Sequence, residues 1–96
     1  MYLGHLYKFW DAINEHGRKH GDDTEHEMVL YHETQLSKWV IEYGNNLNDA
    51  GIEEIDRICS YMLHHIRAIN EYTGLKIDET YVMYELVDEW LHQNAA

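Results

Sequence analysis

The chain has no proline, one cysteine, one phenylalanine and only seven basic residues in 96. Without proline nothing forces a helix to kink or stop, so helix ends must be written by glycine, asparagine and aspartate. A single cysteine, Cys59, cannot close an internal disulfide, which fits a reducing cytoplasm. No apolar run approaches the ~20 residues that a bilayer span requires. The opening residues, MYLGHLYKFWDAINEH, lack the basic region, apolar stretch and small-residue cleavage site of a secretory signal. A cytoplasmic protein with no membrane partner is the expectation.

The shortage of cations is the strongest bulk property. Seven lysines and arginines stand against 18 acids, for a net charge of −11. Phosphate contacts need clustered Lys and Arg, so direct nucleic-acid binding is not expected. The field suits a protein partner with a basic surface, a nucleic-acid-handling protein among them. The chain is rich in histidine instead, with eight. Their protonation near the ordinary imidazole pKa of ~6.5 would remove most of the acidic field.

Ninety-six residues supply one core, so residues 1–96 are expected as one domain. Four segments carry a helical period. The first runs from Tyr2 to His16 or His20, with Leu3, Leu6, Phe9, Trp10 and Ile13 on one side and Gly17 as a weak point. Thr24 and Glu27 fit a capping box that opens the second, whose stripe is Met28, Val29, Leu36, Trp39, Val40 and Tyr43, with Gly44 at its end. The third spans about Ile52 to Tyr72 behind Ile55, Ile58, Cys59, Met62, Ile66 and Ile69, and Gly74 stops it. Asp78 fits an N-cap for the fourth, with Met83, Leu86, Val87 and Trp90 inward. Short loops between such segments predict an all-α, antiparallel four-helix bundle.

Several histidines fall on the inner faces. His32 lies among Met28, Leu36, Trp39 and Tyr43, while His16 and His20 continue the first stripe and His65 flanks the third. His64, His26 and His92 point outward. The antiparallel order brings His16, His32 and His65 within about two turns of one end of the bundle. Bundle cores build metal sites in this way, so the three form a candidate site for one transition metal ion. Glu25 and Glu79, near their helix starts, are placed to add carboxylates. The competing reading has no cofactor and histidines satisfied by Tyr, Glu or backbone.

Thr34-Gln35-Leu36-Ser37-Lys38-Trp39, followed by Gly44, resembles the helix-two motif of the chemoreceptor zinc-binding family, a helical-bundle sensor module. That family's His-x-x-x-His helix falls on Tyr61 and His65, with Ala68 in place, and its first ligand falls on His5. The resemblance covers residues 5 to 70 and implies a bundle fold with a sensory role. Its cysteine ligand is Thr34 here and one histidine is Tyr61, so the family's zinc site is not carried over.

Arg57 and His64 stand seven residues apart, which resembles the spacing of HEPN-class ribonucleases. The spacing is loose and the acidic chain repels RNA, so a non-enzyme is favoured over this alternative. Cys59 sits on an apolar stripe as a core thiol. Tyr7, Tyr31 and Tyr84 fall away from the inner faces, with Asp22, Asp23, Glu53, Glu54 and Asp88 as acidic neighbours in the same surface set. Aromatic residues on a charged surface are what interface hot spots use. The leading expectation is a small acidic binding module that regulates or inhibits a partner protein through this surface, with a homodimer through an aromatic face as a variant. The alternative is a metal-binding sensory bundle.

Overall fold

In a computed structural model, residues 3–94 are described, and they form four helices: α1 (Gly4–His20), α2 (Thr24–Asn46), α3 (Ile52–Thr73) and α4 (Glu79–Asn94). The expected start of α1 at Tyr2 lies outside the described residues. No strand occurs among the described residues, and no helix is long and apolar enough to cross a membrane. Cross-helix pairs fix the antiparallel order. His16 meets His26, His32 meets His65, and Arg67 meets Glu79. The ends of α1 and α3 and the starts of α2 and α4 therefore share one end of the bundle.

The core is made of Leu6, Phe9 and Ile13 from α1, Val29, Leu36 and Val40 from α2, Ile58, Met62, Ile66 and Ile69 from α3, and Val82, Met83 and Val87 from α4. Burying each large aliphatic or aromatic side chain stabilises the fold by about 1.5–3 kcal/mol, and this term drives the assembly. Met28 is exposed rather than inward, because Val29 takes the core position one residue later. Trp39, Leu86 and Trp90 are only partly buried, and Trp39 instead stacks on Tyr61 at 4.5 Å.

Helix ends follow the glycine and aspartate signals in part. Gly74 adopts φ 77° and its N–H donates to the Asn70 carbonyl at 2.8 Å, the left-handed cap that only glycine enters without strain. Asp78 accepts a hydrogen bond from the Thr80 backbone N–H at 2.8 Å, as an N-cap should. The expected capping box at Thr24 and Glu27 does not form. Asp23 occupies the N-cap position, without a side-chain bond to the helix, and its carboxylate meets His20 instead.

Gly44 is a second correction. The helix runs through it to Asn46, so it does not end α2. It is a notch for Trp90, since a Cβ there would lie 2.1 Å from Trp90 Cη2 and 2.2 Å from Cζ3. Gly17 is likewise inside α1, and the His26 ring lies 3.0 Å from where its Cβ would be. Both glycines weaken their helices by about 1 kcal/mol relative to alanine, and both admit an aromatic ring from another helix.

Gly44→Ala is expected to destabilise the protein despite its better helix propensity. The gain is about 1 kcal/mol, whereas displacing a whole indole costs about 1–3 kcal/mol or more. Urea denaturation of the variant checks this, and an unchanged or higher midpoint would show that Trp90 moves without cost.

Candidate metal centre

The turn between α1 and α2 gathers most of the chemistry in the chain. Phe9, Ile13 and His16 continue one buried stripe, and the helix survives Gly17 to carry His20 one turn further. On the other side of the turn, α2 opens with Thr24, Glu25 and His26. One ligand atom from each of His16, His20 and Glu25 lies within 4.8 Å of the others. Among the described residues, this is the group of three or more metal-ligating side chains that converges in this way.

His16 is 6 % exposed and its Nδ1 lies 3.0 Å from His26 Nδ1. No partner among the described residues bonds its buried Nε2. When Nδ1–H donates to His26, that Nε2 is a bare lone pair in the core, which is the form a metal ion takes. The His20 ring lies tilted against His16, with centres 4.6 Å apart, and its Nδ1 lies 3.1 Å from the Asp23 carboxylate. A carboxylate that accepts from Nδ1–H fixes the tautomer and leaves Nε2 as the donor atom. Glu25 is exposed and supplies an oxygen. Burial holds the His16 pKa below its ordinary 6.5, reinforced by His20 and His26 and opposed by Glu25 and Asp23. The imidazole is thus kept in the neutral state that ligation needs.

The expected trio of His16, His32 and His65 is split. His32 and His65 do meet, with Nδ1 atoms 2.9 Å apart, and both are buried. His16 stands with His20 and Glu25 instead. His26, which opposes His16, and His32 are six residues apart on α2, and six helical steps turn the face by about 240°. His16 therefore belongs to a different face of α2 from His32. His26 was read as outward, yet it is half-buried against Gly17 and His16. The glycine was the available signal, because a side-chain-free position on α1 leaves room for a ring. Glu79 ion-pairs with Arg67, and takes no part in the corner.

The other candidate residues are placed as follows. Tyr7, Tyr31 and Tyr84 are exposed by 53, 52 and 60 %, on three different helices. Tyr7 leans on Trp10 at 5.8 Å, and Tyr31 sets its ring edge against His32 at 5.3 Å. Asp22 and Asp23 lie at the α1–α2 end and Glu53 and Glu54 at the opposite end, so these acids do not form one patch. Glu54 is engaged by Arg57 at 2.5 Å, and Asp88 is exposed on α4. Arg57 is so held, while the His64 ring sets its edge against His65, so the two side chains have different partners. Burial pushes the half-buried Cys59 thiol up, and Asp56 adds to the effect, which keeps the thiol unreactive. His5, on α1, has its Nδ1 2.5 Å from Glu85, a buried carboxylate that the sequence pattern did not flag.

No protein-family model, curated protein or solved structure matches this chain.

Three buried imidazoles give a pH prediction. Burial is the main cause that holds His16, His32 and His65 below 6.5, and neighbouring histidines add to it in each case. As pH falls through 6.5 the unfolded chain takes up protons that the native state refuses, so stability present above 6.5 is lost below it. Relief of the acidic field acts in the opposite sense and is shared by variants. The melting temperature is expected to fall between about pH 7.5 and 5, less steeply in His32→Gln/His65→Gln. Parallel curves for the two proteins would remove the buried pair from the explanation.

Proposed function

We propose that this protein is a transition-metal-binding helical bundle, with the ion held at the α1–α2 corner by His16, His20 and Glu25 and with His26 behind His16 as the acceptor that fixes its tautomer. The observation that carries this reading is the convergence of three ligand atoms within 4.8 Å from two helix ends, one of them on a buried histidine. Zinc bonds of about 2.0–2.1 Å set tetrahedral ligands some 3.3 Å apart, so the corner must contract slightly. The contraction falls on His20 and Glu25, whose side chains reach solvent and turn at a cost of at most about 2 kcal/mol each. Imidazoles with one carboxylate suit Zn²⁺, Cu²⁺ or Ni²⁺ over Mg²⁺ or Ca²⁺, which prefer oxygen throughout. An ion here ties the last turn of α1 to the first turn of α2, and so couples metal supply to the stability of the bundle.

Zinc added to chelator-treated protein is expected to raise the melting temperature. Free zinc at 100-fold over Kd contributes about 2.7 kcal/mol, or some 10–20 °C in a domain of this size. His20→Ala/Glu25→Ala keeps the core intact and should weaken zinc binding at the corner by tenfold or more, as read by calorimetry. Affinity equal to that of the unaltered protein would rule the corner out.

A second reading is supported by the exposure of Tyr7, Tyr31 and Tyr84 in a chain of net charge −11. It makes the protein a docking module that regulates or inhibits a partner with a basic surface, such as a nucleic-acid-handling protein. Affinity for such a partner should fall steeply between about 50 and 500 mM salt and drop further in Tyr84→Ala/Asp88→Ala. Salt-independent binding, or a homodimer in light scattering that accounts for the tyrosines, would count against it.

A further inference from the structure

We propose that the cleft between α1, α2 and α4 binds a small organic cation whose charge lies on a methylated nitrogen, as in a quaternary ammonium compound. The cleft shares no residue with the α1–α2 corner and does not rest on that reading. Its volume is about 220 Å³. Trp10 of α1, Ile41 of α2, and Leu86 and Trp90 of α4 give it apolar walls. Its polar side chains are Ser37, Glu89 and Gln93, and among the described residues no lysine or arginine lines it.

Packing sets the walls in advance. Trp90 rests over Gly44, where the missing Cβ lets the six-membered part of the indole close on α2. Trp10 is half-buried against the core and has the Tyr7 ring 5.8 Å away beside it. A ligand that meets indoles already in place loses little affinity to ordering them.

Two attractions favour positive charge in this cleft. Indole draws cations to its π face better than any other aromatic side chain, and more strongly as water is excluded. Glu89 adds a half-buried carboxylate, and Gln93 Nε2 donates to its Oε1 at 2.6 Å. A neutral amide leaves that negative charge uncompensated. Lys38, next to Ser37 in the chain, does not fill the role, since its Nζ lies over Trp39 at 5.8 Å from the ring centre.

The same residues select the kind of cation. A primary ammonium brings three N–H donors that need acceptors once its water is shed, and this cleft offers few. A methylated nitrogen has no such requirement and places methyl groups against Ile41, Leu86 and the indoles. Drug-sized ligands occupy about 300–1,000 Å³, so the cleft suits a compact head group.

The probe is choline, titrated into the full-length protein at constant ionic strength with chelator present, so that the metal corner plays no part. The comparison is its neutral carbon isostere, in which a tert-butyl group replaces the trimethylammonium. Proton–nitrogen spectra resolve the three indole N–H groups, and Trp39, stacked on Tyr61 outside the cleft, serves as the reference. The expected result is saturable movement of the Trp10 and Trp90 signals with Trp39 unmoved. Affinity should be about tenfold lower for the isostere, and about threefold lower for choline in Glu89→Gln. Equal affinity for choline and its isostere would overturn the proposal, as would the absence of saturable movement at Trp10 and Trp90. Both decisive readings use the unaltered protein, so a variant that does not fold leaves the result decidable.

Discussion

Everything at the histidine end depends on a carboxylate near the other end. Glu85 of α4 is 7 % exposed, yet it is not an unpaired buried charge. Its Oε1 accepts from the backbone N–H of His5 at 2.9 Å and of Leu6 at 3.2 Å, and its Oε2 lies 2.5 Å from His5 Nδ1. Those N–H groups belong to the first turn of α1, which has no side-chain cap of its own. The last helix therefore caps the first, with the negative charge at the positive end of the helix dipole. Hydrogen bonds to a charged acceptor are worth about 1.5–3 kcal/mol each, enough to fix the register of α1 along α4. Register is what matters here. A slip of one turn in α1 would carry His16 about 5.4 Å from its place opposite His26.

Given that register, the bundle must solve the problem of imidazoles in an apolar interior. A buried polar atom without a partner costs about 1–3 kcal/mol, so a core histidine is tolerated only beside another hydrogen-bonding group. This chain solves it by pairing histidines with each other, His16 with His26 and His32 with His65. Across the contact a neutral imidazole pair offers one donor to one acceptor, so the facing nitrogens are satisfied, while His16 Nε2 is left without a bond among the described residues. A doubly protonated pair has two donors and two like charges, which is why the same arrangement is stable near neutrality and weakened by acid. The first pairing also leaves His16 Nε2 as a bare lone pair beside His20 and Glu25, so the packing solution and the candidate ligand set coincide at the corner.

That coincidence explains how much was legible in the sequence. Spacing of three and four placed the four helices and marked His16, His32 and His65 as inward, and all three are buried. Glu25 was also legible as a carboxylate near the α1–α2 turn. What periodicity does not encode is which helix faces which. His16 and His32 sit at similar depth in an ideal bundle, but the 240° between positions 26 and 32 sends them to different neighbours. Gly44 and Gly17 looked like helix-ending or helix-weakening residues because local preference is all a single sequence displays. Their role is set by Trp90 and His26, and Trp90 lies 46 positions away from Gly44 in the chain. Glu85 was invisible for the same reason, since a glutamate beside an apolar stripe reads as solvated until another helix end is brought to it. The Thr24–Glu27 box failed because Asp23, one residue earlier, takes the N-cap position and leaves Thr24 inside the helix.

The acidic field ties the two functional readings together. A net charge of −11 raises the local concentration of any cation, whether a metal ion or a basic protein surface. Charge alone is therefore consistent with both and decides neither. The discrimination comes from range. A basic partner is felt over a Debye length of about 8–10 Å and is lost to added salt. A metal at the corner would be held by bonds of about 2 Å to imidazole and carboxylate, and salt would screen its approach far more than its binding. Tyr7, Tyr31 and Tyr84 lie on three helices and the acids at both ends, so a docking partner has no single concentrated patch to seize. The histidines converge, and one of them buries a nitrogen that no described group bonds. Convergence of the scarcer, more directional groups is the better guide to what this fold binds, and it favours the ion.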